Sequence, residues 1–166
     1  MDSAPGQGAC FSIYLPVTRE TDSPRAGAVG GGPDIGSETI LLVEDEDEVR
    51  KVLHQVLIGK GYRVFQAGSG EEALAISRLH RGAVHLLLTD VTMPRMKGTE
   101  LANRLLAERP QTRVIFMSGY NEERLSGGES TWTCLQKPFS PQTLTQTVRA
   151  ILDTPGDADR RKAATA

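Results

Sequence analysis

The sequence predicts a doubly wound α/β domain, a five-stranded parallel sheet with helices on both faces. Three observations carry this. Strand-like and helix-like segments alternate from Thr39 to Leu152. The strand-like runs are short and almost continuously apolar, as expected of strands buried on both faces. Strand followed by helix followed by strand implies right-handed crossovers, which stack helices on each side of one parallel sheet.

Each element has its own local signal. Ile40-Leu41-Leu42-Val43 is a continuous apolar run that ends in acids, and reads as the first strand. Val49, Val52, Leu53, Val56 and Leu57 then fall at helical spacing, and Gly59 and Gly61 stop that helix. Tyr62 to Ala67 alternates as a second strand. Ser69 with Glu72 three residues on forms a capping box for the next helix, closed by Gly82. Val84 to Leu88 is a third strand leading into Thr89-Asp90. A helix through Leu101, Leu105 and Leu106 stops at Pro110. Val114 to Met117, ending at Ser118, makes a fourth strand, and Trp132 to Gln136 a fifth. Between them only Leu125 is clearly apolar and Gly127-Gly128 interrupts, so a short, loosely packed helix is expected. Ser140 as N-cap and Pro141 at the first helical position open a last helix with Leu144, Val148 and Ile151 on one face.

Composition narrows the function classes. The chain has 166 residues, 39% hydrophobic and 24% charged, with a formal net charge of −2. The balanced charge leaves no basic surplus for direct nucleic-acid contact. No apolar run approaches the roughly 20 residues that cross a bilayer, so no membrane contact by this segment is expected. The N-terminus lacks a basic start and an apolar stretch, which predicts a cytoplasmic protein. Cys10 and Cys134 fit no metal or redox spacing and read as free thiols.

Glycine use divides the chain. Several of its 17 glycines crowd before residue 40. Residues 19–38 have little apolar content and carry Gly30 to Gly32, Pro24 and Pro33, the composition of a flexible linker. Residues 1–18 contain a glycine turn and a strand-like run too short to fold alone. Residues 39–152 form the domain, and 153–166 a polar tail expected to be disordered.

In a doubly wound fold, ligands gather at the carboxyl ends of the strands. Glu44-Asp45 ends the first strand, Asp90 the third and Ser118 the fourth, while the fifth leads into Lys137-Pro138. Three crowded carboxylates repel each other unless a cation joins them, and a hard divalent ion with oxygen ligands, Mg²⁺ being the expected one, resolves that repulsion. A carboxylate can attack phosphorus to form an aspartyl phosphate. A lysine then pairs with the phosphoryl oxygens, and a hydroxyl donates to one of them. Each residue alone has a simpler reading: Glu44 and Asp45 as acids after a strand, Asp90 as a cap, Ser118 as part of a turn, Lys137 as a surface charge. Glu46, Asp47 and Glu48 read as a solvated first helical turn favoured by the helix dipole. A phosphatase with an aspartate nucleophile would place a second acid two residues later, where Thr92 stands. A flavodoxin-like cofactor binder would need a phosphate-cradling glycine loop after the first strand, which is missing.

Residues 39–152 resemble the receiver domain of two-component response regulators. The segments TILLVEDEDEVR (39–50), GYRVFQAGSGEEAL (61–74), LLLTDVTMPRMKGTEL (86–101), VIFMSGY (114–120) and LQKPFSPQTL (135–144) carry the resemblance. It implies the flavodoxin-like strand order 2-1-3-4-5 and names Asp90 as phosphoacceptor. Asp45, Asp90 and the Thr92 carbonyl would contact Mg²⁺, with Glu44 holding the ion through water. Ser118 and Lys137 would sense the phosphate, with a cis peptide at Lys137-Pro138. Gly98 falls where the family turns out of its phosphorylation loop. The resemblance further implies slow autodephosphorylation, a histidine kinase or histidine phosphotransfer protein as partner, and homodimer formation as an option; the alternative is a receiver-like interaction module that is never phosphorylated.

One position departs from the family pattern. Receivers commonly carry an aromatic switch residue three positions before the lysine, and here Cys134 stands there. Tyr120 or Trp132 could fill that space, or the short fourth helix could itself carry the response by ordering and disordering. Residues 3–16, SAPGQGACFSIYLP, resemble the end of a histidine kinase ATP-binding domain. That second resemblance implies the C-terminal piece of a hybrid sensor kinase, without its ATP site.

Overall fold

A computed structural model of the chain describes residues 36–119 and 132–154, together with the backbone of Asp2–Ser3 and Ala9–Cys10. The chain divides into two units, Met1–Gly30 and Gly31–Ala166. In the first, Asp2–Ser3 pairs antiparallel with Ala9–Cys10. The second holds the α/β domain. The short helix expected between Ser118 and Trp132, with Leu125 and Tyr120, lies outside the described residues, as do most of the linker and most of the tail.

The domain runs β1 (Thr39–Val43), α1 (Asp47–Ile58), β2 (Arg63–Ala67), α2 (Gly70–Leu79), β3 (Leu86–Asp90), α3 (Gly98–Glu108), β4 (Arg113–Ser118), β5 (Thr133–Gln136) and α4 (Pro141–Asp153). All strand pairs are parallel, in the order β2-β1-β3-β4-β5. This is the expected 2-1-3-4-5 sheet.

The continuous apolar runs are explained by burial on both faces. Alternate residues of a strand point to opposite sides. Leu41, Val43, Leu87 and Phe116 pack with Ala73 and Leu74 of α2 and Leu101, Ala102 and Leu105 of α3. Ile40, Leu42, Leu86, Leu88, Ile115 and Met117 pack on the other side with Leu53 and Leu57 of α1 and Leu144 and Val148 of α4. Two helices therefore cover each face. The four central strand residues Ile40 to Val43 are all fully buried.

Helix ends follow their local chemistry, with some shifts. Ser69 accepts a hydrogen bond from the Glu72 amide at 3.3 Å, but the Glu72 carboxylate takes the Gly68 amide at 2.7 Å. The capping box thus reaches one residue further back than its usual form. Ser140 accepts from the Thr143 amide at 3.0 Å with Pro141 in the first turn, as expected. α1 closes through Gly61, whose φ of 87° is the left-handed conformation that favours glycine.

Three details differ from the sequence reading. Val52 lies on the apolar spacing of α1 yet is 59% exposed, because Leu53 and Leu57 define the buried stripe and Val52 points off it. α2 ends at Leu79 rather than at Gly82. The cause is long-range: the Arg109 guanidinium donates to the carbonyls of Ser77 (2.7 Å), His80 (2.5 Å) and Gly82 (2.7 Å), satisfying the helix end. The ordered domain also includes residues assigned to the linker. Gly36 is buried against the Tyr62 ring and donates to the Lys60 carbonyl at 2.9 Å, and Glu38 pairs with Arg149 at 2.7 Å. Among the described residues, no helix is long and apolar enough to cross a membrane.

Candidate functional site

The carboxyl ends of β1, β3, β4 and β5 meet at one edge of the sheet, and ladder hydrogen bonds continue past the strand ends there. The Glu44 amide donates to the Ala67 carbonyl (3.2 Å), the Val91 amide to the Met117 carbonyl (2.9 Å), and the Lys137 amide to the Ser118 carbonyl (2.7 Å). These bonds hold backbone that would otherwise be loop. Glu44, Asp90, Ser118 and Lys137 are therefore placed by the sheet itself.

Glu44, Asp45 and Asp90 each offer a carboxylate oxygen within 4.8 Å of the others. Their environments differ. Glu44 is 2% exposed, Asp90 is partly buried, and Asp45 is open to solvent. The Lys137 ammonium bridges two of them, donating to Glu44 Oε2 at 2.7 Å and to Asp90 Oδ2 at 2.6 Å. Burial pushes the Glu44 carboxyl above the ordinary carboxylate value, against the pull of Lys137. Burial also pulls on the Lys137 ammonium, but hydrogen bonds to Asp90 and Glu44 outweigh it and raise its pKa. The lysine is held charged.

Three carboxylates against one ammonium leave the cluster at a formal −2. An all-oxygen donor set of that charge suits a hard divalent cation, and Asp45 offers it an open side. Asp90 has both oxygens engaged, since Oδ1 accepts from the Thr92 amide at 3.2 Å while Oδ2 holds Lys137. The Thr92 backbone thus lies against the carboxylate. Arg50, which no sequence signal marked, donates to the Glu44 carbonyl at 2.5 Å and pairs with Asp47. It ties the first turn of α1 to the end of β1.

Two further features shape the edge. A Cβ at Gly98 would sit 2.0 Å from the Asp90 carbonyl oxygen, so the start of α3 can approach the phosphoacceptor candidate only as glycine. The Gly98 amide donates to the Val91 carbonyl at 2.9 Å, closing the loop. The Lys137-Pro138 peptide is cis.

Ser118 is 6% exposed, and its hydroxyl lies 3.0 Å from the Cys134 sulfur. Ser118 and Cys134 meet through the β4–β5 register, which pairs Cys134 with Phe116 two residues before the serine. The partly buried Trp132 ring packs edge-on against the buried Phe116 ring at 5.2 Å.

Known proteins are similar to this chain in sequence and fold. The family model described as response regulator receiver domain matches residues 40–149. Sensor kinase CckA of Brucella abortus (strain 2308) is 39% identical over 163 residues, covering 92% of this chain and 17% of that protein. Transcriptional regulatory protein SrrA of Staphylococcus aureus (strain NCTC 8325 / PS 47) is 34% identical over 119 residues, covering 70% of this chain and 48% of that one. The chain thus spans less than half the length of these curated relatives. Among solved structures, the receiver domain from hybrid histidine kinase CckA is 37% identical with a TM-score of 0.61, covering 69% of this chain and 99% of that one. Vibrio cholerae chemotaxis protein CheY4 is 26% identical with a TM-score of 0.61, covering 70% and 99%. The match runs from the first strand of the sheet into the last helix, and the chain belongs to the response regulator receiver domain family.

Proposed function

We propose that this chain is a phosphorelay receiver that takes a phosphoryl group from a phosphohistidine onto Asp90 and passes the signal on through altered protein contacts. The observation that carries this reading is the Asp90 carboxylate beside one lysine and two further carboxylates at the strand ends. In the transfer, the N–P bond of the phosphohistidine breaks and its electron pair returns to the imidazole, while an Asp90 oxygen forms the new O–P bond.

The residues divide the work. Glu44, Asp45, Asp90 and the Thr92 carbonyl would hold Mg²⁺, which supplies charge neutralisation between the carboxylate and the incoming phosphoryl oxygens. Lys137 moves its ammonium from Asp90 Oδ2 to the phosphoryl group, a charge-assisted contact that keeps the added negative charge paired. Ser118 donates a hydrogen bond from its hydroxyl to a phosphoryl oxygen. Slow hydrolysis of the acyl phosphate then resets Asp90.

The partner implied is a histidine kinase or a histidine phosphotransfer protein. The similarity to CckA extends across 92% of this chain, and so beyond residues 40–149, which supports a receiver attached to a hybrid sensor kinase. Residues 1–18 then belong to the end of an ATP-binding domain, and a linker runs from residue 19 up to Gly36, which is held against the domain. The test is incubation of the chain with acetyl phosphate and Mg²⁺, followed by intact mass measurement. Wild type gains one phosphoryl group and Asp90→Asn gains none. An unchanged wild-type mass overturns the proposal and favours a receiver-like interaction module.

A further inference from the structure

We infer that Cys134 is a positioning residue for Ser118, holding the hydroxyl in a resting orientation that must be given up before it can engage a phosphoryl group. The inference rests on the phosphoacceptor reading of Asp90. It concerns what the thiol does where the family commonly carries an aromatic ring.

The register creates the contact. Phe116 pairs with Cys134 and Ser118 with Gln136 across β4 and β5. Alternate residues on a strand share a face, so Cys134 and Ser118 lie on one side of adjacent strands. The Ser118 backbone is fixed, because its carbonyl accepts the Lys137 amide at 2.7 Å. The residue is 6% exposed, so the hydroxyl has little room to turn to solvent. What remains variable is rotation about Cα–Cβ, and at rest this puts Oγ 3.0 Å from the Cys134 sulfur.

Either group can be the donor in that contact. A serine hydroxyl has one proton to donate, and sulfur is a weak acceptor and a weak donor. A phosphoryl oxygen on Asp90 is a charged acceptor and outcompetes the thiol. The thiol therefore acts as a mild brake, strong enough to bias the resting rotamer and weak enough to release it. An aromatic ring works by occupying space, whereas this thiol works through a hydrogen bond. Cys134 itself is exposed, so replacing it opens no core cavity.

The experiment measures the rate of Asp90 phosphorylation by acetyl phosphate with Mg²⁺ in the full chain, using intact mass. Cys134→Ala is expected to raise the rate by about two- to threefold, the low end of the range for loss of one hydrogen bond, because sulfur is a weak partner. Cys134→Ser keeps a hydroxyl partner for Ser118 and is expected to react at or below the wild-type rate. On a Ser118→Ala background, Cys134→Ala is expected to change nothing, because the group it positions is gone. The inference is overturned if Cys134→Ala matches or falls below wild type, if Cys134→Ser accelerates as much as Cys134→Ala, or if the alanine effect survives without Ser118. A wild type that takes up no phosphoryl group overturns the phosphoacceptor reading, and this inference with it. Normal wild-type uptake with any of those three results overturns this inference alone.

Discussion

Lys137→Met tests the electrostatic reading of the strand-end cluster. The variant keeps much of the aliphatic stem and removes the ammonium that sits 2.7 Å from Glu44 and 2.6 Å from Asp90. Glu44 is 2% exposed, so it would be left buried beside two other carboxylates. Breaking a fully buried ion pair costs about 3–5 kcal/mol. The Lys137 side chain is 27% exposed and Asp45 faces solvent, so water recovers part of this, and a loss of about 2 kcal/mol is expected. At about 4 °C per kcal/mol for a domain of this size, Tm falls by about 8 °C without divalent ions.

Mg²⁺ sharpens the test. A cation at about ten times its dissociation constant stabilises by RT ln 11, about 1.4 kcal/mol. In the variant the cation no longer competes with an ammonium for Glu44 and Asp90, so at equal Mg²⁺ its gain in Tm should exceed that of wild type. Thermal unfolding followed by circular dichroism, with Mg²⁺ or with EDTA, reads both quantities. A variant as stable as wild type in EDTA would refute the claim that Lys137 offsets repulsion within the cluster. A Mg²⁺ gain no larger than that of wild type would refute the claim that lysine and cation compete for the same oxygens.

Other outcomes follow from the same physics. Gly98→Ala places a Cβ 2.0 Å from the Asp90 carbonyl, so uptake of a phosphoryl group from acetyl phosphate should drop by at least about tenfold, as expected when a reacting group is displaced; an unaltered uptake rate would count against the close approach. Arg109→Ala removes the donor to three carbonyls and the Ser77 hydroxyl at the end of α2, and should lower stability by about 2 kcal/mol in urea unfolding. Arg149 holds the Glu38 carboxyl at about 2, below its ordinary 4.5. A depressed acid contributes stability that is present above pH 4.5 and is lost as pH falls from there through about 2. After allowance for solvent screening of a partly exposed pair, that contribution is about 1 kcal/mol. Glu38→Gln should therefore flatten the acid limb of a stability profile between pH 4.5 and 2, and an unchanged limb would assign the acid loss to other groups.

Several features of the site were already readable along the chain. The carboxylates, the hydroxyl and the lysine each follow an apolar run, and a doubly wound sheet brings the ends of such runs together. Ser140 and Pro141 named their own helix start, since a cap acts within one turn. Where the sequence reading strayed, the missing information was long-range. Helical spacing put Val52 among the buried positions, but packing chose Leu53 and Leu57. Gly82 is the local stop signal three residues past α2, yet the partner of the helix end is Arg109, 27 to 32 positions along the chain. Gly36 to Glu38 looked like linker by composition and are held by Lys60, Tyr62 and Arg149, none of them near in sequence.

Hydrophobic period, caps and strand-end residues are local, so the order of elements, the parallel sheet and the set of chemical groups at its carboxyl edge can be read along the chain. The tertiary structure alone decided how those groups are paired. It put the Lys137 ammonium between Glu44 and Asp90, left Asp45 open, aimed the Thr92 amide at Asp90 and joined Ser118 to Cys134. Pairing depends on strand register and on distances of about 3 Å between residues as many as 93 positions apart. No local pattern encodes such distances; they arise only when the sheet closes.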